Sequence, residues 1–249
     1  MLKRFLLLNL LFISLAFAGT INIAVAANVS YAIDTINEEF NKLYPDTKVR
    51  VILGSSGKLT AQIKNGAPYQ LFMSANMKYP NALFKDESAI TSPVVYAQGS
   101  LAYLSMKKQD FKDGIKLVLN DEISKIAIAN PKSAPYGKAA VEALRNAKIL
   151  DKVKGKFVYA ESISQTVSYT VTATDLGFIA KSSLYSPKMK QFKKGINWAD
   201  VDPRLYTPIN QGIVILKKGS QNREVKAFYD FILSPKAKQI FIDFGYAVP

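Results

Sequence analysis

The chain has 249 residues with 33 basic and 19 acidic side chains, a net charge of +14, and neither cysteine nor histidine. The missing residue types exclude disulfides, cysteine and histidine nucleophiles, Ser-His-Asp triads and imidazole metal sites. The positive charge favours an anionic partner or solubility beside a negatively charged surface. Nucleic acid is not expected as a partner, because the lysines are scattered and no aromatic-basic binding motif occurs.

The first eighteen residues are typical of a secretory signal peptide. A short cationic start precedes an apolar run at 5–17, and an Ala-Phe-Ala sequence ends at Ala18. A transmembrane anchor is the alternative, but the run is short, Asn9 and Ser14 interrupt it, and small residues follow. We therefore expect cleavage of residues 1–18 and a mature protein in the periplasm.

The next part of the chain alternates between strand and helix patterns. Apolar runs suited to buried strands occupy 20–27, 48–53 and 69–75. Apolar residues recur at helical spacing from Val29 to Leu43, and a serine turn at 54–56 leads into a second, shorter helix. The alternation predicts an α/β architecture with mainly parallel sheets flanked by helices, whose ligand crevice lies at the carboxyl ends of the strands.

The second part of the chain predicts an inserted lobe. Two long extended segments, 94–107 and 208–218, enclose a central block of alternating strands and helices. Two such crossings predict two lobes that bind a ligand between them and close by a hinge. We expect the first lobe to contain residues 19–95 and 212–249, and the second lobe to contain residues 96–211.

Four turns between a strand and a helix are candidate ligand sites. Each offers backbone N–H groups at a helix start, where the positive end of the helix dipole favours an anion. In one turn, Pro135 fixes the first helical residue and Gly137 lets the backbone approach a ligand. Taken alone, each turn is explained by ordinary helix capping, since serine and asparagine are preferred caps. The turns are Ala27-Asn28, 55–57, 133–137 and 161–164.

Several stretches match one known family pattern. The first strand and helix read "AVAANVSYAIDTINEEF", with a ligand position after two alanines. The most specific stretch is "GSSGKLTAQIKNGAPYQLFMSAN", which combines a serine turn with the pattern GAP-x-x-LF-x-SA. The helix start "PYGKAAVEAL" and the terminal "VKAFYDFILSPKAKQIFIDFGYAVP" also match. From about Ile21 to Pro249 the chain resembles the periplasmic molybdate-binding proteins of molybdate and tungstate ABC importers, which are two-lobed binding proteins of type II.

The resemblance implies a site of four residues that bind an oxyanion. Asn28 would donate its side-chain amide and backbone N–H, and Ser56 its hydroxyl and backbone N–H. Tyr136 would donate its backbone N–H, and Ile163, where relatives usually have valine, would contribute only a backbone N–H. The sequence departs from the family at Ala180, where many relatives have a tyrosine whose hydroxyl closes the site. The Tyr136 hydroxyl is the natural replacement for that lost donor.

The resemblance also implies the ligand and the partners. Molybdate and tungstate are fully deprotonated near neutral pH and need only hydrogen-bond donors, which neutral N–H and O–H groups supply. Phosphate keeps a proton that requires an acceptor, and Glu161 is the only carboxylate in the four turns. The implied function is a monomeric receptor that delivers the oxyanion to an ABC permease, without catalysis, a cofactor or a protein-bound metal.

Four other functions stay open at this point. Sulfate or thiosulfate also needs only donors, so that cavity size would have to separate them from molybdate. A ferric-ion receptor is compatible with the 13 tyrosines but would need convergent tyrosinates with carboxylates. A hydrolase could use Ser56 with Lys58 as its base, although "SGK" fits helix capping as well. The hypothesis of a surface adhesin rests on the positive charge alone.

Overall fold

The computed structural model describes residues 19–249, so that the predicted signal peptide lies outside the described residues. The strands are β1 (Thr20–Ala26), β2 (Lys48–Gly54), β3 (Leu71–Ser74), β4 (Val94–Gly99), β5 (Leu101–Leu104), β6 (Ile126–Ala129), β7 (Phe157–Ala160), β8 (Leu176–Ala180), β9 (Trp198–Asp200) and β10 (Ile209–Ile215). The α-helices are α1 (Ile33–Leu43), α2 (Ser56–Lys64), α3 (Lys78–Lys85), α4 (Pro135–Asn146), α5 (Leu150–Val153), α6 (Ile163–Thr172), α7 (Arg223–Ile232) and α8 (Pro235–Asp243). Between residues 19 and 249 no helix combines the length and the apolar character needed to span a membrane.

The strands form two five-stranded sheets of the same design. The first sheet has the order β2-β1-β3-β10-β4 and the second the order β7-β6-β8-β5-β9. In the first sheet β1 is parallel to β2 and β3, and β10 is antiparallel to both of its neighbours. In the second sheet β6 is parallel to β7 and β8, and β5 is antiparallel to β8 and β9. The predicted α/β fold is confirmed, and each mainly parallel sheet is a mixed one because a single strand, β10 or β5, runs against the others.

The chain crosses between the two sheets at two points that lie a few residues inside the second lobe predicted from the sequence. The first crossing is at Ser100, between β4 and β5, and the second follows β9. The predicted boundaries, 95/96 and 211/212, fall within β4 and β10, which pair with each other in the first sheet. We therefore call residues 19–99 and 209–249 the first lobe, and residues 100–208 the second lobe.

Each lobe has its own hydrophobic core. In the first lobe, Phe40 of α1 packs edge-on against Phe228 of α7, with ring centroids 5.0 Å apart. In the second lobe, Tyr103 of β5 packs edge-on against Phe178 of β8, with centroids 5.3 Å apart. Edge-to-face pairs of this kind stabilise a core beyond the area they bury. Most buried apolar residues of each lobe thus pack against residues of the same lobe.

The two lobes are in contact along the cleft between them. The Gly57 N–H, at the start of α2, donates a hydrogen bond to the Ser133 carbonyl at 2.9 Å. The Ser182 hydroxyl donates to the Asn28 carbonyl at 3.1 Å. These contacts bring together the loops that follow the carboxyl ends of β1, β2, β6 and β8, which is the edge where the sequence predicts the ligand site.

Candidate functional site

The four predicted site residues line a single cavity between the lobes. Its volume is about 10 Å³, roughly the minimum that holds one water molecule. Asn28 follows β1, Ser56 follows β2, and Tyr136 and Ile163 begin α4 and α6 in the second lobe. The lining consists of Ala26, Ala27, Asn28, Gly54, Ser55, Ser56, Ala75, Ala134, Pro135, Tyr136 and Ile163.

The cavity wall is neutral. Of the eleven described residues that line it, none has a charged side chain, and the polar ones are Asn28, Ser55, Ser56 and Tyr136. The wall therefore offers no carboxylate to accept a proton from a protonated anion. Glu161 lies outside it, where its carboxylate pairs with the Lys58 ammonium at 3.0 Å and both side chains are half exposed.

Three helix starts converge on this neutral wall. The helices α2, α4 and α6 contain nine, twelve and ten residues and begin at Ser56, Pro135 and Ile163. The first N–H groups of a helix have no acceptor within it, and the helix dipole places partial positive charge there. Pro135 suits the first position because it has no N–H to leave unpaired. The cavity is therefore electrically suited to an anion without containing a cation.

The Ser56 hydroxyl is held in a donating orientation. Ser56 is fully buried, and its Oγ accepts a hydrogen bond from the Ala75 N–H at 2.9 Å. A hydroxyl has one proton and two lone pairs. Because a lone pair is already used on Ala75, the proton is free to be donated into the cavity.

Ser55 is a cavity residue that the sequence analysis did not single out. It is 4% exposed, and its Oγ has no hydrogen-bond partner among the described residues. It occupies the N-cap position of α2, yet its hydroxyl makes no capping bond. The sequence signal was the doublet "SS" at a helix start, because one serine is enough for a cap.

The Asn28 amide points its nitrogen away from the predicted ligand. Asn28 is fully buried, and its Nδ2 donates to Gln211 Oε1 at 2.8 Å and to Tyr246 Oη at 3.0 Å. Neither partner lines the cavity. The other end of the amide, Oδ1, is buried and has no partner in the part of the chain that the structure describes.

The Tyr136 phenol also points to Gln211. Its Oη accepts a hydrogen bond from Gln211 Nε2 at 3.3 Å, and it fills the space left by Gly99, where a Cβ atom would lie only 1.9 Å from Oη. Ala180 is buried at the end of β8 and does not line the cavity. The phenol thus lies beside residues outside the cavity wall, and the group that Tyr136 presents at the helix start is its backbone. Ile163 is apolar and presents only backbone there.

Two of the alternative functions lack support in this geometry. The Lys58 ammonium is paired with the Glu161 carboxylate. A catalytic base would instead have to contact the Ser56 hydroxyl. Burial raises the pKa of Tyr136 well above its ordinary value and that of Tyr246 to about 12, so that these phenols keep their protons near neutral pH. Within residues 19–249, no three acidic side chains come together as a metal site would need.

The chain is similar in sequence and structure to known solute-binding proteins. The family model described as "Bacterial extracellular solute-binding protein" matches residues 21–247. The molybdate-binding protein ModA of Azotobacter vinelandii is 35% identical over 93% of this chain and 91% of its own, and that of Rhodobacter capsulatus is 34% identical over 93% and 89%. The solved Azotobacter vinelandii periplasmic molybdate-binding protein has a TM-score of 0.84 at 31% identity, covering 92% of this chain and 99% of its own.

These similarities confirm the resemblance inferred from the sequence motifs. They extend over nearly all of the described residues and include both lobes. The two-lobed type II fold is likewise confirmed by the close structural agreement with the Azotobacter protein. The chain belongs to the family of bacterial extracellular solute-binding proteins.

Proposed function

We propose that this protein binds molybdate or tungstate in the cavity between its lobes and delivers the oxyanion to the permease of an ABC importer. The observation that carries the proposal is a buried, uncharged cavity at which three helix starts and two serine hydroxyls converge. The similarity to proteins named as molybdate-binding supports the choice of ligand.

The proposed donors are backbone N–H groups and hydroxyls from both lobes. In the first lobe they are the hydroxyls of Ser55 and Ser56, the backbone of Ser56, and the amide of Asn28. In the second lobe they are the backbone N–H groups of Tyr136 and Ile163. Each hydrogen bond to a charged ligand contributes about 1.5–3 kcal/mol, so that a few such bonds are sufficient for tight binding without a salt bridge.

The neutral wall also suits a fully deprotonated anion. A hydrogenphosphate ion would bury its own proton against N–H and O–H donors, and an unpaired buried donor costs about 1–3 kcal/mol. Molybdate and tungstate carry no such proton near neutral pH. Sulfate shares that property and is the competitor that a binding experiment has to separate.

The finer points of the assignment belong to the same proposal. We infer that residues 1–18 are cleaved, that the mature protein acts in the periplasm as a monomer, and that it catalyses no reaction. Light scattering after gel filtration tests the monomer, and assays with generic esters test the absence of hydrolysis.

The first experiment is thermal unfolding of the anion-free protein with molybdate, tungstate, sulfate or phosphate at equal concentration. A ligand at ~1,000 times its Kd stabilises the fold by about 4 kcal/mol, which for a chain of this length raises the midpoint by roughly 8–16 °C. We expect that shift with molybdate and tungstate only. Ser56→Ala should abolish most of it, whereas Ser220→Ala, at an exposed position outside the cavity, should leave it unchanged.

The other outcomes are equally informative. A shift with sulfate alone would keep the receptor function and replace the ligand. No shift with any of the four anions would refute the proposal.

A further inference from the structure

A buried hydrogen-bond network centred on Gln211 lies behind the candidate site. Gln211 is fully buried on β10, at an irregularity in the pairing with β4. Its Oε1 accepts hydrogen bonds from Tyr96 Oη and from Asn28 Nδ2, both at 2.8 Å. Its Nε2 donates to Tyr136 Oη at 3.3 Å. One amide therefore connects a cavity residue of the first lobe, Asn28, with a cavity residue of the second lobe, Tyr136.

This arrangement turns the Asn28 amide the wrong way for an anion. Both Nδ2 protons are used, one on Gln211 and one on Tyr246, whose own hydroxyl donates to the Asn28 carbonyl at 2.8 Å. The atom left without a partner among residues 19–249 is Oδ1. A carbonyl oxygen in that place repels an oxyanion, because both carry negative charge.

Rotating both amides by half a turn produces a second network, because the rotation exchanges each acceptor oxygen with the donor NH₂ group. Gln211 Nε2 then donates hydrogen bonds to Asn28 Oδ1 and to Tyr96 Oη, and Gln211 Oε1 accepts a hydrogen bond from the Tyr136 hydroxyl. Asn28 Nδ2 then occupies the position that Oδ1 held, where no group of the described residues pairs with it. From that position it can donate a hydrogen bond to an anion.

The two networks differ by one hydrogen bond. In the second network Asn28 no longer donates to Tyr246, while the Tyr246 hydroxyl keeps its acceptor, the Asn28 carbonyl. The Tyr96 hydroxyl loses its acceptor on Gln211, and the Tyr136 hydroxyl gains one. The anion restores the missing bond by accepting from Asn28 Nδ2. Because it interacts better with the second network than with the first, it shifts the population toward the second.

We propose, on the basis of the proposed function, that Gln211 is a positioning residue that turns together with Asn28 and thereby presents the asparagine N–H to the bound oxyanion. The contact with Tyr136 makes this turn depend on the second lobe. Gly99 keeps the space for it, since a Cβ atom there would lie 1.9 Å from Tyr136 Oη and 2.8 Å from Gln211 Nε2. The orientation of the two amides thus depends on contact between the lobes, and it decides whether Asn28 presents an acceptor or a donor to the ligand.

The first test is a double-mutant cycle measured by calorimetry with tungstate. Gln211→Met should weaken binding by about tenfold, which is about 1.4 kcal/mol. Gln98→Met is the matched control, because Gln98 bonds Asn210 on the exposed side of β4 and β10; its affinity should be unchanged. The variant with both Asn28→Ala and Gln211→Met should bind no more weakly than Asn28→Ala alone, since Gln211 acts through Asn28. Additive losses would overturn the proposal.

The second test needs no substitution. Neutron diffraction from deuterated wild-type crystals, with and without tungstate, locates the amide deuterons. We expect the Gln211 deuterons to point to Asn28 and Tyr96 only in the complex. The same orientation in both crystals would overturn the proposal. Wild-type protein that binds neither molybdate nor tungstate would instead refute the proposed function, so the two failures are distinguishable.

Discussion

Gly57→Ala should have opposite effects on folding and on binding. Gly57 is the second residue of α2, where alanine is the better helix former. The structure brings the lobes together at this residue, and an added Cβ atom would lie 2.9 Å from both the Cα and the carbonyl oxygen of Ser133 and 2.7 Å from the Tyr79 hydroxyl. Ser133 belongs to the second lobe, so the clash with its backbone exists only while the lobes are in contact. The Tyr79 hydroxyl belongs to the first lobe, but it is the end of a flexible side chain and can move aside.

The magnitudes follow from the two states. With the lobes apart, replacing glycine by alanine in a compatible conformation stabilises the fold by about 0.4–1 kcal/mol, which raises the unfolding midpoint by roughly 1–4 °C. With the lobes together, overpacking costs about 1–3 kcal/mol. Because binding requires the closed arrangement, the Kd for molybdate should rise by roughly 5–150-fold.

The assay combines calorimetric titration with thermal unfolding of the anion-free protein. Gly155→Ala is the matched control, since nothing lies within 4 Å of the added Cβ atom there, and its affinity should equal that of the wild type. An unchanged affinity in Gly57→Ala would refute the reasoning about the contact. A lower midpoint in the anion-free variant would show that the lobes stay together without a ligand.

Three further predictions test the site and its surroundings. Ser55→Ala should weaken molybdate binding by about tenfold in a titration without lowering the anion-free midpoint, since the lost hydroxyl has no partner to leave unpaired. Gly99→Ala should destabilise the fold by about 1–3 kcal/mol in denaturant unfolding, and Tyr136→Phe should restore part of that loss by removing the clashing oxygen. Burial raises the pKa of Tyr246 to about 12, above its unfolded value of about 10, so that its contribution is present below pH ~10 and lost as the pH rises toward ~12. Stability measured over that range should therefore fall less in Tyr246→Phe than in the wild type.

Two strands of the first lobe could be predicted from the sequence because the turn chemistry after each one marks its end. The apolar run at 20–27 became Thr20–Ala26, a strand paired in parallel on both sides. The predicted strand at 48–53 became Lys48–Gly54. In both cases a short apolar run is followed directly by a polar helix start, which fixes where the strand ends.

The long extended segments could not be resolved from local pattern. Residues 94–107 read as one extended run, but the chain divides at Ser100 into β4 and β5, which belong to different sheets. β4 pairs with β10, more than a hundred residues later, and β5 lies between β8 and β9. Pairing partners so distant in sequence leave no mark on the segment itself.

The site shows the same division between local and distant information. The turns between strands and helices marked candidate regions, and the family resemblance implied Asn28, Ser56, Tyr136 and Ile163 within them. All four line the cavity. The partners that orient Asn28 and Tyr136 come from distant positions and had no local signal. Gln211 stands directly before the apolar run "GIVI", and burial of an amide there requires hydrogen-bond partners, but the sequence does not identify them.

The same unpaired atoms connect ligand binding with contact between the lobes. Where the lobes meet, the Ser55 hydroxyl and one end of the Asn28 amide are buried without a protein partner among residues 19–249. A buried polar group without a partner costs about 1–3 kcal/mol, so that closure is more favourable when a bound molecule pairs with these atoms. An anion supplies an acceptor for the hydroxyl and, after the amide turns, for the asparagine N–H. Binding and closure then become one event, because the groups that recognise the anion are the ones that penalise closure in its absence.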